Sequence, residues 1–255
     1  LVHIDDIMYF HPICQSVFES TSDTESMDAV EELEDYANEN APIMALFDGM
    51  PIQNHPFLKN RIVIDDPDGL ETGYESKNRY HGTAMASLIL NGDLNKPEYI
   101  KQRIYVRPIL KPKEVGPNRY QELVPENWLI VDKIHSAVVG LYERVNNNPP
   151  KAPTVRVINL SLGDPARQLA STMSPLARLL DYLSYKYSVL FIVSAGNHDE
   201  VIGLIDIPYS DLKAMSVEQR EKYIFEKIVM NQRNHKIFSP AENLNGLTIG
   251  ALYDD

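Results

Sequence analysis

The residue best suited to acid–base chemistry is His81, which stands at the start of a small and apolar stretch running from Thr83 to Leu90. This pattern predicts a helix over residues 82–90, with Asn91-Gly92 as its left-handed stop. An imidazole at a helix amino terminus meets the positive end of the helix dipole, which disfavours the imidazolium and keeps the ring available as a base. A lone histidine in such a setting is more often a satisfied core residue, so the assignment depends on its neighbours.

Three other polar segments follow short apolar runs. Asp48 ends the run 41–48, Ser161-Leu162-Gly163 follows the run 155–160, and Asn197 follows the run 189–195. Short apolar runs of this kind are typical of strands covered on both faces, and ligands bind at the carboxyl edge of such sheets. The sequence therefore predicts that a carboxylate, a carboxamide and a polar exit segment share one edge with His81.

The elements that must position these residues alternate between strand and helix. Further strands are predicted at 61–64, 104–110 and 247–251, and further helices at 127–145, from Ser174-Pro175 to Tyr187, and from Ser216 to about Met230. Lys111 to Pro125 is predicted to be a loop. This alternation predicts a three-layer α/β fold, with a mainly parallel twisted sheet and helices on both faces.

Composition excludes several classes of function. The 255 residues have a formal net charge of −12 and offer no basic stripe for nucleic acid. No apolar run is long enough to span a membrane, and no signal pattern opens the chain. The single cysteine, Cys14, excludes an internal disulfide framework and favours a reducing, cytoplasmic compartment. Asp65, Asp66, Asp68 and Glu71 could be imagined around calcium but match no dense ligand loop, so no cofactor is predicted.

Four motifs, in order, resemble those of the subtilisin-like serine peptidases (subtilases). They are Asp48-Gly49-Met50-Pro51 with His55-Pro56-Phe57-Leu58, His81-Gly82-Thr83 with Ala86 and Ile89, Asn159-Leu160-Ser161-Leu162-Gly163, and Ser194-Ala195-Gly196-Asn197. The resemblance covers residues 41–255, which we expect to form one peptidase domain. Residues 1–40 are expected to be an arm that carries an acidic amphipathic helix over Thr24 to Asn38.

The resemblance implies a serine endopeptidase that hydrolyses polypeptide substrates with an Asp-His-Ser triad. Asp48 would orient His81, His81 would move the proton of the serine, and Asn197 would stabilise the oxyanion. Ser161, Leu162 and Gly163 would pair with the substrate backbone, with Gly163 allowing close approach. The family's Gly-Thr-Ser-x-Ala nucleophile motif does not occur in these 255 residues. We expect that segment beyond Asp255; the alternatives are an inactive peptide-binding module or a serine from another chain.

One segment lies outside this pattern. The stretch between Asn197 and Phe238 is longer than the resemblance leads us to expect. It could shape a substrate channel or decorate the surface, and the sequence leaves both possibilities open.

Overall fold

The fold is described from a computed structural model, which covers residues 18–19, 40–94, 99–116, 119–169, 171–197, 204, 206–231 and 236–250. The helix predicted over Thr24 to Asn38 lies outside these residues. Part of the 198–237 segment does as well.

Six parallel strands form the central sheet: β2 (Met44–Asp48), β3 (Ile62–Ile64), β4 (Ile104–Pro108), β7 (Val157–Leu160), β9 (Leu190–Ser194) and β11 (Leu247–Ile249). Their spatial order is β11-β9-β7-β2-β4-β3. Each lies inside a predicted strand, and Pro108 occupies the last position of its ladder, where its missing N–H costs least. The predicted parallel α/β architecture is confirmed.

Helices cover both faces of this sheet because successive strand residues point to opposite sides. On one face, α1 (Tyr80–Asn91) places Ala86 and Leu90 against Leu46 and Val106. On the other, α2 (Ile130–Tyr142) and α3 (Pro175–Tyr187) pack against Phe47, Tyr105 and Ile158. The alternation of Leu46 and Phe47 along β2 thus divides the core into two layers.

Two predicted helix boundaries need correction. Helix α1 begins at Tyr80, so that His81 lies in its first turn and not ahead of it. Helix α2 spans Ile130–Tyr142, shorter than the predicted 127–145, and Glu143 leaves the helix in an extended conformation. The predicted stop of α1 at Gly92 is confirmed by its positive φ of 62°.

The prediction of a loop over Lys111 to Pro125 is wrong. This segment contains an antiparallel hairpin of β5 (Lys111–Gly116) and β6 (Arg119–Leu123), and β1 (Phe18–Glu19) pairs with the other edge of β6. Strand β5 shows no apolar alternation, and Pro112 is tolerated because this strand is an edge of the small sheet. The pairing between strands, which local pattern does not reveal, fixes the hairpin.

The remaining elements lie near the later strands. Strand β8 (Asp164–Gln168) pairs with β10 (Phe238–Ser239), while α4 (Tyr209–Ala214) and α5 (Val217–Asn231) belong to the long polar segment. Ser216 and Gln219 exchange hydrogen bonds between side chain and backbone, which confirms the predicted capping box of α5. None of the helices in the described ranges is long and apolar enough to cross a bilayer.

Candidate active site

The centre of the site is the contact between Asp48 and His81. Asp48 is fully buried at the end of β2, and its Oδ1 lies 2.6 Å from Nδ1 of His81. Because an ionised carboxylate can only accept a hydrogen bond, Nδ1 of the ring carries the proton. In the neutral ring this leaves the lone pair on Nε2, which is the tautomer that a general base needs.

Gly82 allows this contact because its lack of a side chain lets α1 approach the backbone that follows β2. A Cβ placed on Gly82 would lie 2.3 Å from the carbonyl oxygen of Gly49, far inside an ordinary contact distance. The first turn of α1 therefore packs directly on the backbone that follows Asp48. The glycine of the His-Gly motif thus has a steric reason, since a side chain at position 82 would separate the carboxylate from the imidazole.

Thr83 adds a hydrogen-bonded link between the same two segments. Its Oγ1 accepts a hydrogen bond of 2.9 Å from the backbone N–H of Ile52. Further along the loop, Met50 and Leu58 are buried and anchor it to the core. The loop after β2 and the first turn of α1 therefore form one packed unit around the Asp48–His81 pair.

The pKa of His81 results from opposing effects. Burial alone lowers it, because the imidazolium loses hydration, but the hydrogen bond and negative charge of Asp48, together with the charge of Glu122, outweigh burial and raise the pKa above its usual value. The expectation that the helix dipole sets the charge state of this ring therefore needs correction. A carboxylate at hydrogen-bond distance acts more strongly than a partial charge at a helix end.

Asn197 and the Ser161–Gly163 segment lie at the same edge of the sheet as Asp48. Leu160 is aligned with Phe47 on one side and with Val193 on the other, so the chain leaves β2, β7 and β9 at one level. With strands about 4.8 Å apart, the exits of β2 and β9 are separated by roughly 10 Å. Asn197 is exposed there, three residues beyond the end of β9.

Phe238 packs against both the predicted substrate segment and the predicted oxyanion segment. A Cβ on Gly163 would lie 3.1 Å from Cβ of Phe238, and one on Gly196 would lie 2.3 Å from its ring. Gly196 also has a φ of 103°, which side-chain-bearing residues rarely adopt. The close approach that Gly163 permits within the chain is therefore that of Phe238, which the sequence reasoning did not foresee.

Ser161 and Leu162 are both buried, so little of this segment's side-chain surface faces solvent. The Ser161 hydroxyl donates to the side-chain oxygen of Asn159 at 2.6 Å. This contact points the hydroxyl back toward β7, where it is not available as a nucleophile. Gly163 is half-buried and is the most exposed residue of the segment.

Glu122 and Tyr74 also belong to the site, although the sequence reasoning missed them. Both are buried, and Oη of Tyr74 lies 2.6 Å from Oε1 of Glu122. A Cβ on Gly49 would lie 1.9 Å from the same carboxyl oxygen, so Glu122 packs directly against Gly49. Because the sequence predicts a loop over the residues of β6, it gives no signal for Glu122.

The aspartates of the acidic segment 65–71 are paired with cations and backbone amides of the chain itself. Asp65 and Asp68 form ion pairs with Arg107 at 3.2 and 2.7 Å, and Lys133 reaches Asp68 at 2.7 Å. Asp66 accepts hydrogen bonds from two backbone N–H groups of the following turn. Within the described ranges, no group of three or more His, Cys, Asp or Glu side chains is arranged to hold a metal ion.

Comparison with known protein families agrees with this geometry, whereas no curated protein matches the chain. The model of the subtilase family matches residues 7–254, which is nearly the whole sequence and includes most of the amino-terminal arm. With an aspartate–histidine pair at the carboxyl edge of a parallel sheet and a family match of this extent, the chain belongs to the subtilase family of serine peptidases, whose substrates are polypeptides.

Proposed function

We propose that this chain supplies the aspartate, the histidine and the oxyanion donor of a subtilisin-type serine endopeptidase. Asp48 holds His81 in the tautomer with Nδ1 protonated, and His81 accepts the proton of an attacking serine hydroxyl through Nε2. The imidazolium then returns that proton to the leaving amine. The observation that carries the proposal is the 2.6 Å Asp48–His81 contact, formed where Gly49 and Gly82 pack together.

Asn197 supplies the electrostatic part of the mechanism. Its exposed carboxamide follows β9 at the same sheet edge, where an N–H donor could meet the oxygen that becomes negative in the tetrahedral intermediate. A donor that is positioned before charge develops stabilises the transition state by about 3–4 kcal/mol in this class of reaction. Ser161, Leu162 and Gly163 provide the extended backbone edge along which the substrate is held.

The nucleophile of this proposal is a serine outside the 255 residues. The serines nearest the motifs have other surroundings: Ser87 lies within α1, Ser161 bonds to Asn159, and the Ser194 hydroxyl accepts from the Gly196 backbone N–H at 3.2 Å. The coding sequence after codon 255 should therefore continue into a Gly-Thr-Ser-x-Ala segment. A stop codon directly after Asp255 would contradict this form of the proposal.

The chemical test is labelling with a fluorophosphonate, which reacts with activated serines. The protein that carries the serine segment should be labelled, and His81→Ala should abolish labelling because the hydroxyl loses its base. His135→Ala is the matched control, since His135 is exposed on α2 and outside the site. Persistent labelling of His81→Ala would refute the role of His81.

An inactive peptide-binding module is the second candidate, and the absence of the nucleophile motif from the sequence favours it. In that case peptide affinity should survive both Asp48→Asn and His81→Ala, with no cleavage by any form of the protein. Turnover that is lost on these substitutions would exclude the module and support the peptidase.

A further inference from the structure

Glu122 is a buried carboxyl that the proposed triad chemistry does not use. It reaches the site from β6, and its Oε1 packs against Gly49, whose carbonyl oxygen in turn contacts Gly82 of the histidine helix. Gly49 is therefore in contact with both Glu122 and Gly82. The Gly49 N–H donates a hydrogen bond of 2.6 Å to Oδ1 of Asp48, so the Glu122 carboxyl lies against the backbone that carries Asp48.

The hydrogen bonds of Tyr74 indicate which protonation state of Glu122 fits this geometry. Oη of Tyr74 lies 3.0 Å from the carbonyl oxygen of Leu110 and 2.6 Å from Oε1 of Glu122. The hydroxyl has one proton, and a carbonyl oxygen can only accept. Both contacts are hydrogen bonds when Tyr74 donates to Leu110 and a protonated Glu122 donates to Tyr74; when Glu122 is ionised, Tyr74 donates its proton to Oε1 of Glu122 instead.

The electrostatic surroundings of Glu122 also favour its protonated form. Burial raises the pKa of Glu122 to about 7, and the nearby charge of Asp48 adds to this, while the Tyr74 hydrogen bond and the charge of His81 act in the opposite direction. Glu122 therefore titrates in the same pH range as an imidazole. The charge of each group therefore acts on the protonation of the other in that pH range.

The titratable and charged groups near the Glu122 carboxyl lie on several elements of the fold. Asp48 of β2, His81 of α1 and Tyr74 act on it directly. Two cations lie further out: the Arg79 guanidinium carbon is 6.0 Å from the Tyr74 ring centroid, and the Lys111 side chain packs beside Gly73. Arg79 also forms an ion pair with Glu71, so its charge is partly compensated.

We propose that Glu122, held by Tyr74 against Gly49, is a positioning residue of the candidate active site that carries a proton at low pH and, once ionised, strengthens the hold of His81 on its own proton. The proposal rests on the proposed function, because it assigns Glu122 a part in tuning the base of that mechanism. Glu122 acts through charge and through Gly49, and it takes no part in bond making or breaking.

The test is an NMR titration of the 255-residue chain between pH 4 and 9, which requires neither a nucleophile nor turnover. The His81 ring is followed with ¹⁵N-labelled histidine, and the Gly49 amide reports on Glu122. In Glu122→Gln the His81 midpoint should fall by about 0.5 to 1 pH unit, as expected for loss of a unit charge within roughly 10 Å. The Gly49 amide should lose the step near neutral pH that it shows in the parent chain.

The control variant is Glu114→Gln. It removes the same charge from an exposed position on the same hairpin and should leave the His81 midpoint unchanged. Tyr74→Phe removes the hydroxyl that donates to ionised Glu122, and this charge-assisted hydrogen bond is stronger than the one made to the protonated form, so the pKa of Glu122 should rise and the step in the Gly49 amide should move to higher pH. It provides a second reading of the coupling if Glu122→Gln does not fold.

Two results would overturn the proposal: an identical His81 midpoint in Glu122→Gln and Glu114→Gln, or a Gly49 amide that shows no step near neutrality in the folded parent chain. Failure of fluorophosphonate labelling would contradict the peptidase function and leave these titrations unaffected. The two failures can therefore be told apart.

Discussion

Because Gly82 packs on Gly49, replacing Gly82 with alanine should lower the free energy of unfolding, although alanine has the higher helix propensity. A Cβ at position 82 would lie 2.3 Å from the Gly49 carbonyl oxygen, whereas ordinary contacts begin at 3.4 Å, so the segments would have to separate by about 1 Å. Overpacking of this kind costs about 1–3 kcal/mol. Alanine in place of glycine within a helix stabilises the folded state by up to about 1 kcal/mol through its higher helix propensity.

Gly82→Ala should therefore lower the free energy of unfolding by about 1–2 kcal/mol. Gly140→Ala is the matched control, because Gly140 lies in α2 and a Cβ there would meet nothing within 4 Å. That substitution should raise the free energy of unfolding by about 0.5–1 kcal/mol. The same chemical change then gives effects of opposite sign in two helices of one protein.

Urea denaturation followed by circular dichroism measures both variants. The His81 midpoint, measured by NMR in Gly82→Ala, should also fall, because separating the segments lengthens the 2.6 Å hydrogen bond to Asp48. A Gly82→Ala chain as stable as Gly140→Ala, with an unchanged His81 midpoint, would refute the steric account of the glycine pair.

Three further predictions follow from the hydrogen bonds and buried charges. Asp48→Asn removes the charge that raises the pKa of His81, so the imidazole midpoint in NMR should fall by about one unit or more; an unchanged midpoint would mean that the pair does not form. Ser174→Ala removes a buried cap of α3 and should cost about 2 kcal/mol in urea denaturation, whereas Ser216→Ala at the exposed cap of α5 should cost less than about 1 kcal/mol; equal losses would contradict the role of burial. Burial raises the pKa of Glu122 from 4.5 to about 7, so the folded chain binds that proton more tightly than the unfolded chain and its stability falls as pH rises through this window, by up to about 3 kcal/mol. Glu122→Gln should remove most of this fall, and a fall of undiminished size would show that another group causes it.

Local pattern was sufficient for most of the parallel sheet. The apolar runs ending at Asp48, Leu160 and Ser194 become neighbouring strands because a parallel strand covered on both faces must be apolar along its length. Capping chemistry also predicted the starts of α3 and α5, since Ser174 and Ser216 accept hydrogen bonds from their own first turns. These features depend on residues close together in the chain.

The hairpin β5–β6 could not be predicted in the same way. Its strands lack an apolar alternation, and they are stabilised by pairing with each other and, for β6, with β1 near the amino terminus. Contacts between residues this far apart in sequence leave no local periodicity. Glu122, which lies on that hairpin, was missed for the same reason.

By itself the sequence determined the family, the parallel α/β architecture and the order in which Asp48, His81 and Asn197 occur, because each depends on residue type and spacing along the chain. Only the tertiary structure decided that Gly49 contacts both Gly82 and Glu122, that Phe238 packs against both Gly163 and Gly196, and that Asp48 raises the pKa of His81 against the effect of burial. These are contacts between side chains and backbone brought together by the fold. Their energies depend on distances of a few ångströms, which sequence spacing does not specify.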